Sequence, residues 1–340
     1  VKEQPTGTFT IGAGYSSVDK FITQGSVTQD NFLGYGVKLR LSGAFSGSSQ
    51  TYSVGVTDPY FLDTEWTLGV EAYKTEREYS EYDEERTGGA VKAGHFLTRD
   101  IKGYLTYRYE EKEYSDVEPA YYWIEEGDSS IHSSITAELV RNTTDNYSDP
   151  SSGGMSELML QYAGIGGTEN FFKTTFEHRH FWPLFWDTVL TIRGKTGYVV
   201  ATADEEDLPQ TEKFKLGGIR TLRGFETYEV GPQDEYGYYI GGETMAFFNV
   251  EYLFPLSKEM GLKGLLFYDT GNAWLDSGDY FTDLRHSVGA GIRWKSPLGP
   301  LRFEWGYNLD PRDDGKGICK KNPISTFGNE RLKRSGSWNN

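Results

Sequence analysis

Apolar and polar residues alternate with a period of two in one segment of this chain after another. The clearest case is LRFEWGYN, in which one face of an extended chain carries Leu301, Phe303, Trp305 and Tyr307. The same alternation recurs in SVGAGIRW, TVLTIRGK, FKTTFEHR and YLTYRY. Because successive side chains of a β-strand point to opposite faces, the pattern predicts strands with one apolar face. No helix of useful length competes with them.

We expect about fifteen strands, with boundaries uncertain by several residues. They lie near residues 9–12, 21–30, 37–47, 50–58, 64–74, 87–97, 101–114, 130–142, 154–164, 171–181, 187–201, 241–254, 263–274, 285–296 and 300–308. Tight connections such as NFLGYG and PLFWD alternate with open or charged ones around 75–86, 115–129, 202–240 and 275–284. Short turns at one end and long loops at the other are typical of a transmembrane antiparallel β-barrel.

The composition excludes a transmembrane helix but does not exclude a membrane-spanning β-barrel. The 340 residues carry a formal charge of −16, and the mean hydropathy is −0.58. No window approaches the roughly 18 consecutive apolar residues of a transmembrane helix. A barrel averages to such values because its lipid-facing and lumen-facing residues alternate. The acidic balance argues against a nucleic-acid partner, since a phosphate-binding surface is basic.

A soluble β-sandwich also alternates, so the period alone leaves both architectures open. Three features favour the barrel. The strands are long, their polar faces carry glycine and mixed charge, and aromatic residues gather near strand ends in FWPLFW, AYYW and EYLFP. Such clusters suit the headgroup level of a bilayer.

One arginine lies between glycines in a stretch that fits neither a helix nor a clean strand. Arg223 belongs to GGIRTLRGFETYEVGP, residues 217–232, within the longest excursion from the strands. If this stretch folds back into a barrel, the guanidinium needs partners, because it stays charged. Alternation places Glu251 and Asp269 on the polar faces of the next two strands. The competing interpretation is a solvated loop residue.

Several motifs in a fixed order carry a resemblance to a known family. TLRGF is followed by VGP, NVEYLF, FYDTGNAW and SPLGPLRFEWG. This order resembles the barrel domain of the BamA family of outer-membrane protein assembly factors, from VKEQPTGTFTIGAGY to about Asp314. The resemblance implies a sixth external loop inside the barrel, with Arg223, Gly224 and Phe225 as its anchoring motif and Glu251 and Asp269 as acceptors.

The resemblance also implies an activity and its partners. The activity is the folding and insertion of outer-membrane proteins in the outer membrane of Gram-negative bacteria, without bond chemistry or a cofactor. The implied partners are unfolded outer-membrane protein clients, outer-membrane lipid and lipopolysaccharide, and accessory lipoproteins. A related polypeptide-translocating barrel, of the two-partner secretion or translocation-assembly type, and a passive porin are the alternatives.

The first strand, about Gly7 to Tyr15, is a candidate seam. Its apolar face includes Phe9 and Ile11, and its other face carries Gly12 and Gly14. Glycine weakens a strand, so the edge could open and offer backbone groups to a client strand. The alternative is that both glycines only relieve crowding on the polar face.

The two ends of the chain depart from a simple barrel. We expect residues 1–6 to end a linker from absent periplasmic domains, because Val1 follows no leader and the chain resembles a processed or excised piece. Residues 7–311 form the expected barrel, with an inward-folding loop at 202–240. Residues 312–340 lack alternation and are rich in Lys and Arg.

A barrel of the 16-strand type should instead end on an alternating strand with a terminal aromatic residue. We therefore expect the closing strand to be missing or replaced by a frameshifted or artificial ending, because ISTFG is too short to close the seam. Enzymatic and metal sites are not expected. His178 and His180 share an apolar strand face that no acid joins.

Overall fold

A single antiparallel sheet runs through the chain. The computed structural model describes residues 7–16, 20–79, 82–117, 127–203, 208–234, 237–296, 299–311 and 324–328. Their strands follow one another in the sheet in sequence order, from β1 to β16. Residues 1–6 and most of the tail after 311, including Cys319, lie outside the described residues, as does the AYYW cluster.

The strands are long, and fifteen of them occupy the segments that alternation predicts. Their bounds are β1 Gly7–Ser16, β2 Lys20–Phe32, β3 Val37–Phe45, β4 Ser49–Asp58, β5 Thr67–Glu78, β6 Asp83–Phe96, β7 Ile101–Ser115, β8 Ser129–Asn142, β9 Gly153–Ala163, β10 Phe171–Pro183, β11 Val189–Ala201, β12 Thr244–Ser257, β13 Leu262–Trp274, β14 Arg285–Ser296, β15 Gly299–Asn308 and β16 Ile324–Gly328.

The sixteenth strand is a finding that alternation does not predict. ISTFG forms β16 and pairs with β15 from Arg302↔Gly328 to Gly306↔Ile324. Backbone pairing needs no side-chain alternation, which is why a segment without that pattern still forms a strand.

Helical structure in the described part of the chain is confined to single 3-10 turns. These are Gln210–Glu212 and Ser277–Asp279, whereas Phe61–Asp63 and Phe185–Asp187 are tight turns that contain residues with positive φ. Among the described residues, no helix has the length and apolar character that a membrane crossing requires.

The chain divides into two compact units. The first comprises residues up to 138 together with 161–171, and the second comprises 139–160 together with 172–333. The second unit contains β10 to β16 and the long connection between β11 and β12.

The burial of the second unit is inverted relative to a soluble protein. In β13, Leu266 is 52% exposed whereas Asp269 is 0% exposed. In β15, Trp305 is exposed and Glu304 is buried. A sandwich would bury the apolar face and expose the charged one. Strands whose apolar face meets lipid require the observed arrangement.

The first unit shows the same inversion. In β7, Leu105, Tyr107 and Tyr109 are exposed, while Glu110 and Lys112 on the opposite face are buried. The alternating pattern therefore predicts the two faces correctly, and the charged face is the interior one.

The register of β12 to β15 positions the polar residues of the second unit. Glu251 pairs with Phe267, Phe267 with Gly289, and Gly289 with Gly306. Two residues along these strands, Gly291 pairs with Glu304. Side chains two residues apart share a face, so this register brings Glu251, Asp269 and Glu304 to the same buried face.

Candidate functional site

The connection between β11 and β12 folds into a compact structure of its own. Isolated antiparallel bridges join Phe214 to Gly242 and Leu216 to Val230. Leu216, Leu222 and Val230 are fully buried. These contacts place the motif Arg223–Phe225 against the polar faces of β12 to β15.

Arg223 binds both acids that alternation places on the polar faces. Its Nη2 and Nε donate to the two carboxylate oxygens of Asp269 at 2.6 and 2.7 Å. Its Nη1 donates to Oε1 of Glu251 at 2.7 Å. The guanidinium is 3% exposed, so these are charge-assisted hydrogen bonds largely out of water.

Glu304 on β15 is a third acceptor that the sequence analysis did not single out. Nη1 of Arg223 donates to its Oε2 at 2.9 Å. The alternation of LRFEWGYN already places Glu304 on the polar face. It does not reveal that β15 comes within reach of the loop, because that distance depends on the path of the loop.

Two further arginines, Arg293 and Arg302, pair with the two glutamates of the cluster. Arg293 donates to Oε1 of Glu251 at 2.8 Å and to Oε1 of Glu304 at 3.0 Å. Nη2 of Arg302 lies 2.9 Å from Oε1 of Glu304. Three guanidiniums thus meet three carboxylates, which balances the buried charge.

Asp269 differs from the two glutamates in depending on Arg223 alone. The backbone N–H of Arg223 also donates to its Oδ2, at 3.0 Å. Among the described residues, every hydrogen bond to this fully buried carboxylate comes from Arg223. Withdrawal of the loop would leave Glu251 and Glu304 paired to Arg293 and would leave Asp269 without a cation.

A ring and a glycine make room for the arginine. The guanidinium carbon of Arg223 lies 3.6 Å from the ring centroid of Phe267, in cation–π contact. A Cβ on Gly289 would lie 2.2 Å from that ring, so only glycine leaves it space.

Gly224 lies directly on the backbone of β15. It has φ of +90°, and a Cβ there would lie 3.1 Å from the backbone of Tyr307. A Cβ on Gly306 would lie 2.3 Å from the nitrogen of Gly224. Two glycines face each other at this crossing, and the close approach requires both of them.

Phe225 is buried next to the anchor, with Arg285 stacked 5.1 Å from its ring centroid. The residues before Arg223 are held through their carbonyls. Nη1 of Arg193 donates to the carbonyl oxygen of Arg220, and Nδ2 of Asn249 donates to that of Thr221, each at 2.7 Å. No sequence motif marks these donors, because side-chain hydrogen bonds to loop carbonyls can form with any loop sequence.

The candidate seam residues lie on β1 as predicted by alternation. Phe9 and Ile11 are exposed, and Gly12 and Gly14 pair with Gln24 and Ile22 of β2. β1 is the first strand of the sheet order, with β2 as its hydrogen-bonded neighbour. These residues belong to the first unit, and the Arg223 cluster belongs to the second.

A second buried polar cluster lies in the first unit. Glu169, in the connection between β9 and β10, accepts hydrogen bonds from Lys112 at 2.8 Å and from Nδ1 of His132 at 2.6 Å. Burial opposes its ionisation, but the hydrogen bond from His132 and the charge of Lys112 hold the pKa of Glu169 below its ordinary value. Sequence spacing gives no signal for it, because the partners are 37 and 57 residues apart.

The Arg223 cluster is built to hold a segment in place. Its carboxylates are saturated by guanidiniums, and its arginine is enclosed by acids and a ring. Nothing in this set of groups is arranged as a nucleophile and a base. The chemistry it supports is reversible ion pairing between a loop and a sheet.

Comparison with known proteins agrees with this fold. The model of the Omp85 superfamily domain matches residues 31–325. The outer membrane protein assembly factor BamA of Nitratidesulfovibrio vulgaris is 32% identical over 325 residues, covering 93% of this chain and 41% of that protein. The sorting and assembly machinery component 50 homolog A of Xenopus laevis is 29% identical over 186 residues, 54% of this chain and 39% of that protein.

Solved structures show the same architecture. The crystal structure of BamA from Haemophilus ducreyi lacking POTRA domains 1-3 has a TM-score of 0.83 at 20% identity, covering 96% of this chain and 69% of that one. CdiB from Escherichia coli has a TM-score of 0.62 at 17% identity, covering 92% of this chain and 60% of that one. The first likeness confirms the predicted all-β, antiparallel barrel fold.

The chain spans less than half the length of the assembly factors that it matches. The family match covers most of the chain, including the RGF loop and the strands that receive it. The chain therefore belongs to the Omp85 superfamily and is integral to the outer membrane.

Proposed function

We propose that this chain folds β-barrel proteins and inserts them into the bacterial outer membrane. Its relatives in the Omp85 superfamily include assembly factors of bacteria and a sorting and assembly component of a vertebrate. The proposed activity involves no bond chemistry and no cofactor.

The observation that carries the proposal is the anchored loop. Arg223 ties the loop to β12, β13 and β15 through Glu251, Asp269 and Glu304. A loop that only covered a channel would not need three buried acids and a stacked ring. An insertase needs its strands held firmly while another part of the sheet exchanges partners.

The exchanging part is the edge of β1. An unpaired backbone group in lipid costs several kcal/mol, so a client strand gains much by pairing as it enters. Gly12 and Gly14 lower the stability of β1, which favours opening of this edge. A client hairpin then adds to the edge by β-augmentation.

The partners follow from this mechanism. Unfolded outer-membrane proteins are the clients, and outer-membrane lipid and lipopolysaccharide surround the strands. Accessory lipoproteins are the remaining proposed partners. The mechanism requires no nucleic acid.

Reconstitution tests the function directly. Vesicles that contain the chain should accelerate the folding of a client barrel, measured as its shift to a heat-resistant, protease-protected form. The control is the same chain with a disulfide that locks β1 to the strand closing the seam, assayed before and after reduction. We expect the locked form to lose the activity and reduction to restore it; full activity while locked contradicts the seam mechanism.

Planar-bilayer conductance separates an insertase from a porin. An anchored loop predicts small and irregular currents, because it occupies the polar face of the strands. Large, stable currents together with no effect on client folding would identify a porin instead.

A further inference from the structure

Three short connections of the sheet share one local structure. They join β2 to β3, β4 to β5 and β10 to β11. In each, a backbone N–H donates to the carbonyl oxygen of a phenylalanine three residues earlier, at 3.2 Å: Tyr35 to Phe32, Thr64 to Phe61 and Thr188 to Phe185. Each closes a tight turn of the hairpin type.

The two central residues of every turn have positive φ. The values are 53° and 83° for Leu33 and Gly34, 54° and 58° for Leu62 and Asp63, and 56° and 56° for Trp186 and Asp187. This is the pattern of a type I′ turn, which favours Asn followed by Gly. A bulky apolar residue in the first central position is therefore locally unfavourable.

Local packing leaves these apolar residues largely exposed. Leu33, Leu62 and Trp186 are 76%, 77% and 82% exposed, although the Trp186 ring contacts the ring of Phe185 edge-on at a centroid distance of 4.8 Å. Phe281 also has a positive φ, but its ring packs on two aromatic side chains, Trp274 and Tyr280. The three turns instead present their apolar residue at the tip.

The backbone of the two Asp-containing turns is well satisfied. Oγ1 of Thr64 donates to the carbonyl oxygen of Phe61 at 2.6 Å, and Oγ1 of Thr188 donates to that of Phe185 at 2.8 Å. These hydrogen bonds do not involve the side chain of the tip residue, so they form whatever that residue is. For a tip surrounded by water, the backbone preference would therefore favour Asn. A contact outside the protein chain must favour Leu or Trp.

We propose that Leu33, Leu62 and Trp186 are anchors that insert into the interfacial layer of the outer-membrane leaflet. All three turns end membrane-crossing strands, and each joins an even-numbered strand to the next odd-numbered one. The same choice of an apolar tip residue recurs in three turns that are far apart in sequence. This recurrence fits contact with the lipid interface, where membrane-crossing strands end. Burial of the apolar tip in lipid offsets the unfavourable backbone conformation.

The polar neighbours fit the same location. Asp63 and Asp187 follow the tip residue directly, and the exposed side chain of Asp187 forms an ion pair with Lys258. A charged residue directly after an apolar tip fits the boundary between lipid headgroups and acyl chains. An apolar residue in place of Asp63 or Asp187 would instead fit deeper insertion into the acyl chains.

Depth-dependent quenching tests the insertion. In a Cys319→Ser background, Leu62→Cys carries a polarity-sensitive fluorophore and the chain is reconstituted in phosphatidylethanolamine and phosphatidylglycerol vesicles with lipids brominated near the headgroup. Ser148→Cys is the matched control, because it lies exposed in the polar connection from β8 to β9. We expect lipid quenching to be several-fold stronger at position 62. Equal quenching, or quenching at 62 only by aqueous iodide, overturns the proposal.

A triple variant tests the energetic consequence. Leu33→Asn, Leu62→Asn and Trp186→Asn together satisfy the turn preference, so the turns should form at least as well. We expect insertion of the chain itself into vesicles to slow by about tenfold or more as apolar burial is lost. Restoring Leu at positions 33 and 62 should recover most of the rate.

The same variants separate lipid from protein contact. If the triple variant inserts at the parent rate but loses binding to a soluble periplasmic protein, the tips dock a protein and the proposal fails.

Discussion

Within the part of the chain that the structure describes, every hydrogen bond that the carboxylate of Asp269 receives comes from Arg223, through the guanidinium and the backbone N–H. Glu251 and Glu304 accept from Arg223 as well, but both also accept from Arg293. Asp269 is therefore the acid of the three that depends most on the loop arginine. This asymmetry predicts unequal effects of removing each acid.

We expect Asp269→Asn to release the loop more than Glu251→Gln or Glu304→Gln. The first change leaves a buried guanidinium without its bidentate acceptor, a loss of about 3–5 kcal/mol. The other two leave that acceptor in place. Protease cleavage within residues 208–243 and the free energy of unfolding measure the difference. Equal sensitivity of the three variants would contradict a special role for Asp269.

Gly306→Ala should displace the loop although it alters no charge. The new Cβ would lie 2.3 Å from the backbone nitrogen of Gly224. Neither atom can move away by a side-chain rotation, so the loop backbone itself must shift. Gly25→Ala in β2 is the matched control, since its Cβ would meet only the Thr10 carbonyl oxygen at 4.0 Å. Protease sensitivity of the loop should rise for Gly306→Ala alone. A protected loop in that variant would show that the crossing tolerates a side chain.

Phe267→Leu should weaken the anchor by removing the ring face beneath Arg223. The cation–π contribution is about 0.5–2 kcal/mol, larger when the cation is desolvated as it is here. Phe248→Leu is the control, because Phe248 lies exposed on the opposite face of the neighbouring strand. Unfolding free energies of the two variants in the same detergent provide the comparison. A loss as large for Phe248→Leu would show that the ring acts only through packing.

Acid should loosen the connection between β9 and β10. The pKa of Glu169 is lowered in the folded state, so its stabilisation is complete above the ordinary Glu value of about 4.3. It is lost as the pH falls below that value and through the lowered folded pKa. The protection factors of the amides of residues 164–170, which correct for the intrinsic exchange rate at each pH, should therefore fall as the pH drops below about 4.3.

Glu169→Gln supplies the control for the acid effect. The variant cannot ionise at this position, so the protection factors of the connection should be low at neutral pH and change little in acid. If protection in the parent chain stays high at pH values where Glu169 is protonated, the ion pairs with Lys112 and His132 do not hold the connection.

Alternation predicts the strands and the faces of this chain well, because the period of two is imposed by backbone geometry. It places Glu251 and Asp269 on the polar face, where the structure has them. It places Glu304 there too, but which strands the loop reaches depends on long-range packing. Arg193 and Asn249 donate to backbone carbonyls of the loop. Every residue has such a carbonyl, so the loop sequence does not indicate which ones are bound.

The turns mark another limit of sequence reasoning. The tight connections NFLGYG and PLFWD are visible in the sequence, but local preference favours Asn at the tip and gives no signal for Leu33, Leu62 or Trp186 there. β16 has no alternation, and its pairing with β15 rests on backbone hydrogen bonds. Both features are set by surroundings that a local pattern does not contain.

The pairing of Arg223 with Asp269 is tested most directly by a double-mutant cycle. The free energy of unfolding of the parent chain is compared with Arg223→Ala, Asp269→Ala and the double variant. We predict strong coupling, of about 2–3 kcal/mol, so that the double variant is scarcely less stable than either single one. Additive losses would show that the two residues act independently and would contradict the anchored-loop account.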